Sequence, residues 1–432
     1  MSAPIPHEPA VSADGGADAA VLAPPELARV QRRTVWVLSL GQVLGGLAFG
    51  ATVSLGAVLA AEISGDEAFS GLAAAAITLG TAAVAVPLAT FARRRGRRPS
   101  LAMGMTVALL GVVLVVLAVG VSSFPLLLVA FGLVGAGQAA NLQTRFAAAD
   151  LATDATRGRD LSIVVWATTV GAVLGPNLTG PGEVLGQAVG MPPLTGPYLI
   201  TVVAQVLGIL LYLLALRPDP LLLAQRVVAA ARASATAIAK PDDPRVARYA
   251  IFAVAAAHGV MVSVMAMTPV HLLHHGASLS IIGLTISLHI AGMFALSPVF
   301  GILADRLGRI PTIMIGQGLL AAALVTASFG QESTTWVTVA LVLLGLGWSA
   351  TTVSGSTLLT EASSEAMRTR RQGRSDLIMS LVGATGAILA GLVLAWIGYG
   401  GLALVVGIAV VATVALAPLA RGPQRVSAAA HG

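Results

Sequence analysis

The stretch GILADRLGRIPT, residues 301–312, decides the architecture of this chain. Asp305 closes an apolar run, and Arg306 and Arg309 flank Gly308 directly after it. Apolar segments of about 20 residues, the length that crosses a bilayer, lie on both sides of the stretch. A short charged turn between two such segments is typical of a loop that joins two transmembrane helices.

The composition of the whole chain also indicates a membrane protein. Hydrophobic residues make up 56% of the 432 residues and charged residues only 10%, against about 25% charged in soluble domains. The absence of cysteine excludes disulfides and thiolate metal sites. The sequence holds no nucleotide-binding loop, no nucleophile elbow and no H-E-x-x-H motif. We therefore expect a protein that is not an enzyme.

Twelve segments have the length and apolarity of membrane spans. They lie at about 34–61, 68–92, 100–121, 124–149, 160–179, 197–216, 249–273, 279–303, 311–330, 335–359, 376–397 and 400–420. We therefore predict an all-α membrane protein with 12 transmembrane helices in two six-helix bundles. The predicted parts are a disordered cytoplasmic tail (1–33), an N-terminal bundle (34–216), a cytoplasmic linker (217–248), a C-terminal bundle (249–420) and a second cytoplasmic tail (421–432). The middle of the linker could form an amphipathic surface helix or serve as a plain tether.

The basic residues predict the orientation. All 25 Lys and Arg fall before span 1, after span 12, in the linker or at alternate joints, which places them on one side. The opposite joints carry acids instead, namely Glu62, Asp66, Glu67, Glu183 and Glu332. Because basic loops stay in the cytoplasm, both termini should be cytoplasmic. The strong bias to Arg, with much Ala and Gly, suggests a GC-rich bacterial genome. We expect a multi-pass protein of the bacterial cytoplasmic (inner) membrane that does not bind nucleic acid.

The two halves of the chain resemble each other. TRGRDLSIVVWATTVGAVLGPNL (156–178) opens span 5, and RQGRSDLIMSLVGATGAILAGLVL (371–394) opens span 11. Each has a basic-Gly-basic turn followed by an aspartate and then by small residues. GAGQAAN in span 4 is echoed by GLGWSAT in span 10.

Residues 301–312 resemble the G-x-L-A-D-R-x-G-R signature of the major facilitator superfamily. The resemblance implies two six-helix bundles around a central cavity, with substrate bound near the bilayer midplane. It also implies a conformational latch formed by Asp305, Arg306, Gly308 and Arg309. Asp305 is expected to cap or pair at the start of span 11, where Arg374 is a candidate partner.

The equivalent loop after span 2 departs from this signature. ATFARRRGRRPS (89–100) has Arg93 where the signature has its acid, so the two halves should not latch identically. GAVLGPNLTG (171–180) partly matches the G-x-x-x-G-P signature of antiporters in the same superfamily.

Methionine and histidine are concentrated in spans 7 and 8. His258, Met261 and Met265 share one face of span 7 at spacings of three and four residues. Met267 and His271 continue on a neighbouring face towards the outer mouth. The exposed entrance is expected to include His274 and His275.

Span 8 returns through the membrane with His289 and Met293 at the depth of the first group. Thioether sulfur and neutral imidazole suit a soft ion, above all Cu(I). Methionines at helical spacing also fill gaps in packing, and a buried histidine can serve as a helix contact.

The pairs Met261-x-x-x-Met265 and His289-x-x-x-Met293 resemble the paired motifs of the CcoA-like (CalT) copper importers. That resemblance implies a metal site made of these four residues, with His258, Met267 and His271 as a secondary metal path. The cysteines of those importers are absent from this chain.

We predict a secondary active transporter that imports copper through a site between spans 7 and 8. The alternative is a proton-coupled transporter of a small organic molecule, by drug efflux or riboflavin-like uptake. The antiporter-like motif favours this alternative, whereas Asp150, Asp160, Glu361 and Asp376 all lie near cytoplasmic ends and none at mid-depth. The expected partners are a copper ion or another small substrate and the lipid bilayer. We expect a monomer and no cofactor, since copper would be the cargo.

Overall fold

The computed structural model describes residues 24–65, 69, 71–233, 242–277 and 279–420, and most of these residues are helical. The helices of the first half are α1 (Pro24–Ser64), α2 (Gly71–Arg95), α3 (Arg97–Gly120), α4 (Phe124–Ala149), α5 (Arg157–Asn177), α6 (Thr179–Ala188), α7 (Gly196–Ala215) and α8 (Pro220–Ala233). Those of the second half are α9 (Pro244–His274), α10 (Leu279–Phe294), α11 (Ser297–Leu307), α12 (Arg309–Phe329), α13 (Thr334–Ala362) and α14 (Glu365–Leu416). A 3₁₀ turn, Ala417–Ala420, follows α14.

Within the described residues, nine helical segments are long and apolar enough to cross a membrane. One of them, Glu365–Ala420, contains both of the last two predicted spans, because α14 consists of two helices that meet at Gly398, where the backbone is not helical. The φ of Gly398 is 72°, a conformation that glycine adopts without strain. The first and fifth predicted spans lie in α1 and α5. The predicted all-α membrane fold is confirmed.

Helix α1 begins earlier than the sequence predicts. Residues 24–33 were expected in a disordered tail, but they form the first turns of α1. Glu26 lies in the first turn, where an acid favours a helix N-terminus. The side-chain amide of Gln31 donates to the main-chain oxygen of Ala148 at 2.7 Å and to Asp160 Oδ2 at 2.8 Å. These contacts hold the added turns in place. The rest of both predicted tails, residues 1–23 and 421–432, lies outside the described residues.

The linker is also partly helical. Residues 220–233 form α8, and Asp219 caps it by accepting hydrogen bonds from the N–H groups of Leu221 and Leu222. The other oxygen of Asp219 accepts the N–H of Arg98, which ties α8 to the start of α3. Helix α9 begins at Pro244, so the end of the predicted linker belongs to the helix of span 7. Residues 234–241 lie outside the described residues.

The far end of the linker is held by Asp242. This carboxylate accepts the N–H of Ser364 at 2.7 Å and two hydrogen bonds from the Arg371 guanidinium at 2.8 and 2.6 Å. The hydrogen bond from Ser364, together with those from Arg371, lowers the pKa of Asp242 below its usual value. The linker is therefore fastened to the start of α14.

Span 8 is divided into α10 and α11. Pro298 occupies the first turn of α11, where its missing N–H costs nothing. The hydroxyl of Ser297 donates to Phe294 in the same span and to the main-chain oxygen of Ser162 in α5. The break therefore places α11 and its following loop against the first half of the chain.

The two halves touch at one end of the molecule, which carries the α2–α3, α4–α5, α11–α12 and α13–α14 connections. We call it the basic end, and the sequence predicts that it is cytoplasmic. Gly373 of α14 lies against Ala89 of α2, and Gly301 of α11 lies against Gly158 and Ser162 of α5. A Cβ at Gly373 or Gly301 would collide with the opposite helix. The basic end is therefore closed in this structure.

Candidate functional site

The predicted thioether ligands lie in one apolar cluster of the second half. Met261 of α9 is 2% exposed and Met293 of α10 is 9% exposed, and both belong to the cluster that contains Trp348 of α13. Met265 is partly buried and packs against the same cluster. The three methionines therefore belong to one apolar cluster, a setting that suits a soft ion or plain packing.

His289 is fully buried on α10, and its ring is fixed by α13. Nδ1 lies 2.7 Å from the main-chain oxygen of Leu341. Because a carbonyl only accepts, Nδ1 carries the proton in the neutral ring and Nε2 carries a lone pair. Nε2 is buried and has no hydrogen-bond partner among the described residues. Metal-binding histidines are commonly held in this way, through a hydrogen bond from the other ring nitrogen.

Glycines allow α13 to approach α10 closely at this level. A Cβ on Gly345 would lie 2.5 Å from the main-chain oxygen of His289 and 2.9 Å from the nitrogen of Met293. A Cβ on Gly292 would lie 2.8 Å from the main-chain oxygen of Val342. The predicted site therefore borders on span 10 as well as on spans 7 and 8.

His258 makes a different contact. Its Nδ1 accepts a hydrogen bond from the indole N–H of Trp348 at 3.1 Å, and its ring packs against Gly383 of α14. The proton of the neutral ring is then on Nε2, so this ring offers no lone pair to a metal. In this structure His258 forms a contact between α9, α13 and α14. Its place in the predicted metal path stays a prediction.

The other predicted path residues divide into buried and exposed groups. Met267 packs against the same apolar cluster as Met261. His271 is buried, stacks on Tyr399 with 4.3 Å between ring centroids, and donates from Nε2 to the main-chain oxygen of Gln331 at 2.7 Å. His274 and His275, at the end of α9, are exposed. Met267 is partly buried, so of these four residues His274 and His275 are the most accessible.

Among the described residues, no group of three or more His, Asp or Glu side chains could hold a metal ion. A metal in the apolar cluster would therefore depend on thioether and imidazole ligands.

Asp305 lies across the contact between the two halves. Its Oδ1 accepts the N–H of Gly158 at 2.9 Å and its Oδ2 accepts the N–H of Arg159 at 2.8 Å. These are among the first N–H groups of α5, so the carboxylate caps a helix of the opposite half. The predicted pairing with Arg374 at the start of span 11 is wrong, and Arg374 is exposed. A latch has to join the two halves, but Asp305 and Arg374 both belong to the second half.

The residues around Asp305 complete the latch. Arg309 forms ion pairs with Asp305 at 3.1 Å and with Glu361 at 2.6 Å. Gly308 has a φ of 100°, which lets the chain turn sharply between α11 and α12. Arg306 is exposed. Glu361 also pairs with Arg157 of the first half at 3.1 Å, so a second carboxylate bridges the halves.

At the α2–α3 loop, which corresponds to the α11–α12 loop, the first half contacts the second through an arginine. Arg97 is fully buried, and its Nε donates to Asp150 at 2.8 Å while its Nη2 donates to Gln372 of α14 at 2.7 Å. Arg93, which stands where the signature has an acid, is exposed. The two loops therefore contact the opposite half through different groups, Asp305 in one and Arg97 in the other.

Comparison with known proteins identifies the family. Residues 38–275 and 249–431 match the Major Facilitator Superfamily. The chain belongs to the major facilitator superfamily. It is accordingly a multi-pass membrane transporter and not an enzyme.

Two bacterial relatives of this superfamily member cover most of its length. It is 36% identical over 395 residues to the uncharacterized MFS-type transporter YdeG of Bacillus subtilis (strain 168), covering 90% of this chain and 92% of that protein. It is 30% identical over 376 residues to the riboflavin transporter RfnT of Brucella anthropi, covering 84% of this chain and 89% of that protein.

Solved structures of the superfamily share its fold. The human organic anion transporter MFSD10 matches with a TM-score of 0.72 at 17% identity, covering 90% of this chain and 99% of that one. FucP in its outward conformation matches with a TM-score of 0.67 at 15% identity and the same coverage.

Sequence reasoning missed the ion pairs that join the two halves of this superfamily member, and one of them is deeply buried. Arg145 of α4 and Asp376 of α14 form an ion pair at 2.5 Å. The internal repeat draws attention to Asp376, because Asp160 and Asp376 follow the basic-Gly-basic turn at corresponding positions of the two halves. In the structure Asp160 bonds to Gln31 of its own half, whereas Asp376 reaches the opposite half.

Proposed function

We propose that this transporter imports copper, held as a soft ion by Met261, Met265, His289 and Met293. The observation that carries the proposal is the buried Nε2 of His289, which has no hydrogen-bond partner among the described residues. A buried polar atom without a partner is costly, and a bound cation would offset that cost.

The chemistry of the ligands favours a soft monovalent ion. Thioether sulfur and imidazole nitrogen prefer Cu(I), whereas Mg²⁺ and Ca²⁺ prefer carboxylate and carbonyl oxygen. Both ligand types are neutral, so they bind a cation without placing a carboxylate in a low-dielectric region. The exposed His274 and His275 would meet the ion first, at the end of α9 that is predicted to face outward.

Near-isosteric substitutions test the proposal. Met→Leu usually costs less than about 1.5 kcal/mol of stability, so loss of transport would report loss of sulfur. We expect the Met265→Leu, Met293→Leu double variant and His289→Leu to abolish copper accumulation at unchanged protein level. Met105→Leu, a buried methionine of the first half, is the matched control and should accumulate copper normally.

The measurement is cellular copper, by elemental analysis, in a host strain that lacks its own copper importer. If the double methionine variant accumulates copper like the unaltered protein, the methionines serve packing and the copper proposal is wrong.

The second candidate is uptake of a riboflavin-like organic molecule. It is favoured by the 30% identity to the riboflavin transporter RfnT. A small cavity in the first half is lined by Thr52, Gln138, Asn141 and Gln205, and their hydroxyl and amide groups are of the kind that recognise a polar organic molecule. Gln138→Leu should then abolish riboflavin uptake in a riboflavin-requiring host. If riboflavin uptake is undetectable with the unaltered protein, this candidate is excluded.

A further inference from the structure

The Arg145–Asp376 pair joins the two halves at the basic end. Nη2 of Arg145 donates to Oδ1 of Asp376 at 2.5 Å, and the two side chains are only 4% and 1% exposed. Arg145 lies on α4 of the first half, and Asp376 lies near the start of α14 of the second half. Any movement that opens the basic end must separate these two charges.

The pair is buried but incompletely bonded. Oδ2 of Asp376 and Nε of Arg145 have no hydrogen-bond partner among the described residues. The carboxylate therefore has one oxygen that can accept a proton without first breaking another hydrogen bond.

The charged groups around the pair come from several helices. Arg97 of α3 adds positive potential at Asp376, as Arg145 does, and His258 of α9 lies within electrostatic range of Arg145. Arg97 is itself paired with Asp150. Within α14, the neighbouring Gln372 bonds to Arg97.

We propose that Asp376 is the proton-binding group that couples proton movement to opening of the basic end. A proton binds Oδ2, the carboxyl becomes neutral, and its ion pair with Arg145 is lost. The two halves can then separate at this point without leaving an unpaired carboxylate in an apolar seam. The inference goes beyond the proposed function, because it holds whatever the cargo is.

The physical argument is the cost of separating buried charges. Breaking a buried ion pair leaves two uncompensated charges and is strongly unfavourable, whereas protonating the acid first removes one of them. Arg145 keeps a partner when it is released, since its guanidinium lies 4.8 Å from the centre of the neighbouring Phe146 ring.

The buried Arg97–Asp150 ion pair lies nearby, but it does not join one half to the other. Asp150 and Arg97 both belong to the first half, so their ion pair does not span the seam. Protonation of Asp150 would therefore leave the Arg145–Asp376 contact intact. Because Arg97 also bonds to Gln372 of α14, the control for Asp376→Asn is placed elsewhere. It is Glu183→Gln, since Glu183 accepts the N–H groups of Leu194 and Gly196 in its own half, at the opposite end.

The absence of cysteine makes a direct test possible. Ser162→Cys places one thiol in the α5–α11 seam, where Ser162 is fully buried against Gly301. A bulky hydrophilic maleimide can reach this thiol only when the basic end opens. The purified protein in detergent is labelled at a series of pH values from about 8 to about 5.5, the range in which a buried carboxyl can titrate. Rates are divided by those of Ala155→Cys, an exposed position at the same end, to remove the pH dependence of thiol reactivity.

We expect the relative labelling rate to rise at least about tenfold as the pH falls, which corresponds to a modest shift in the closed–open equilibrium. With Asp376→Asn the rate should be high at every pH, and with Glu183→Gln it should keep the original pH dependence. A rate that is independent of pH in the otherwise unaltered protein would overturn the proposal. So would Asp376→Asn with the original pH dependence.

A second variant serves if Asp376→Asn does not fold. Arg145→Gln removes the ion pair at every pH, because Asp376 then has no guanidinium opposite it. Labelling of Ser162→Cys should then be fast at about pH 8 as well as at about pH 5.5. Slow labelling at about pH 8 in Arg145→Gln, as in the otherwise unaltered protein, would also overturn the proposal.

Discussion

Replacing Asp305 by Asn should loosen the closed basic end by a predictable amount. The carboxylate accepts the N–H groups of Gly158 and Arg159, and an amide oxygen can replace only one of these two contacts. A hydrogen bond to a charged group contributes about 1.5–3 kcal/mol net. The charge at the helix N-terminus adds about 0.3–1 kcal/mol. The closed arrangement should therefore lose about 2–4 kcal/mol, which is a factor of about 30–800 in the closed–open equilibrium.

Hydrogen exchange at the start of α5 measures this loss directly. The amides of Gly158 and Arg159 exchange with solvent only when the capping contacts break, so the exchange rate reports local opening. We expect Asp305→Asn to raise exchange in a peptide that covers these two amides by a factor in the calculated range. Transport should become slower, because the variant stays longer in one conformation of the cycle.

Arg306→Gln is the control, since Arg306 neighbours Asp305 on the same helix but is exposed. It should leave exchange at the start of α5 unchanged. The reasoning is refuted if Asp305→Asn exchanges at the same rate as the unaltered protein and as Arg306→Gln. In that case the carboxylate contributes nothing to closure, whatever its position.

Three further predictions concern orientation, the linker and the latch turn. A topology reporter fused at the C-terminus should report cytoplasm and one inserted at Asp66 the exterior; a cytoplasmic signal at Asp66 would contradict the twelve-span count. The hydrogen bond from Ser364 lowers the pKa of Asp242, so the linker should stay docked from neutral pH down to about pH 4 and be released only below it. Asp242→Asn should leave the linker open to protease at all pH values. Gly308→Ala should cost about 1–3 kcal/mol through backbone strain, seen as a lower melting temperature in detergent, while the exposed helical position Gly318→Ala should not be destabilised.

The membrane helices could be predicted because the bilayer imposes a length and a composition on each span. The start of α1 could not, because residues 24–33 are too polar to be recognised as part of a span. They are helical through tertiary contacts, chiefly the hydrogen bonds of Gln31 with Ala148 and Asp160. Such contacts join segments more than a hundred residues apart, and helical periodicity carries no information about them.

Helical spacing could predict the depth of the candidate ligands but not the direction of their rings. His289 faces α13 because Gly345 and Gly292 let the two helices approach, and its Nδ1 then meets Leu341. His258 shares a helical face with Met261 in the sequence, yet its ring is engaged by the indole N–H of Trp348. Both outcomes depend on span 10, which the pairing of spans 7 and 8 did not include.

The signature loop predicted a latch at Asp305, and the structure gives this carboxylate other partners than the predicted Arg374. Local sequence shows that an acid follows an apolar helix, and it does not show which half of the molecule lies opposite. The packing of α11 on α5, through Gly301 and Ser162, decides that Asp305 meets the start of α5.

The repeated segments GAGQAAN and GLGWSAT place polar amides in the first half where the second half has an apolar tryptophan. In the first half, Gln138 and Asn141 line a small polar cavity. In the second half, Trp348 packs in the apolar cluster with Met261 and Met293. A single soft ion could be bound by the second half alone and travel with it, whereas a larger organic molecule would need groups from both halves. Loss of transport on changing Gln138 would therefore favour an organic cargo, because a copper ion held by sulfur and imidazole has no use for that amide.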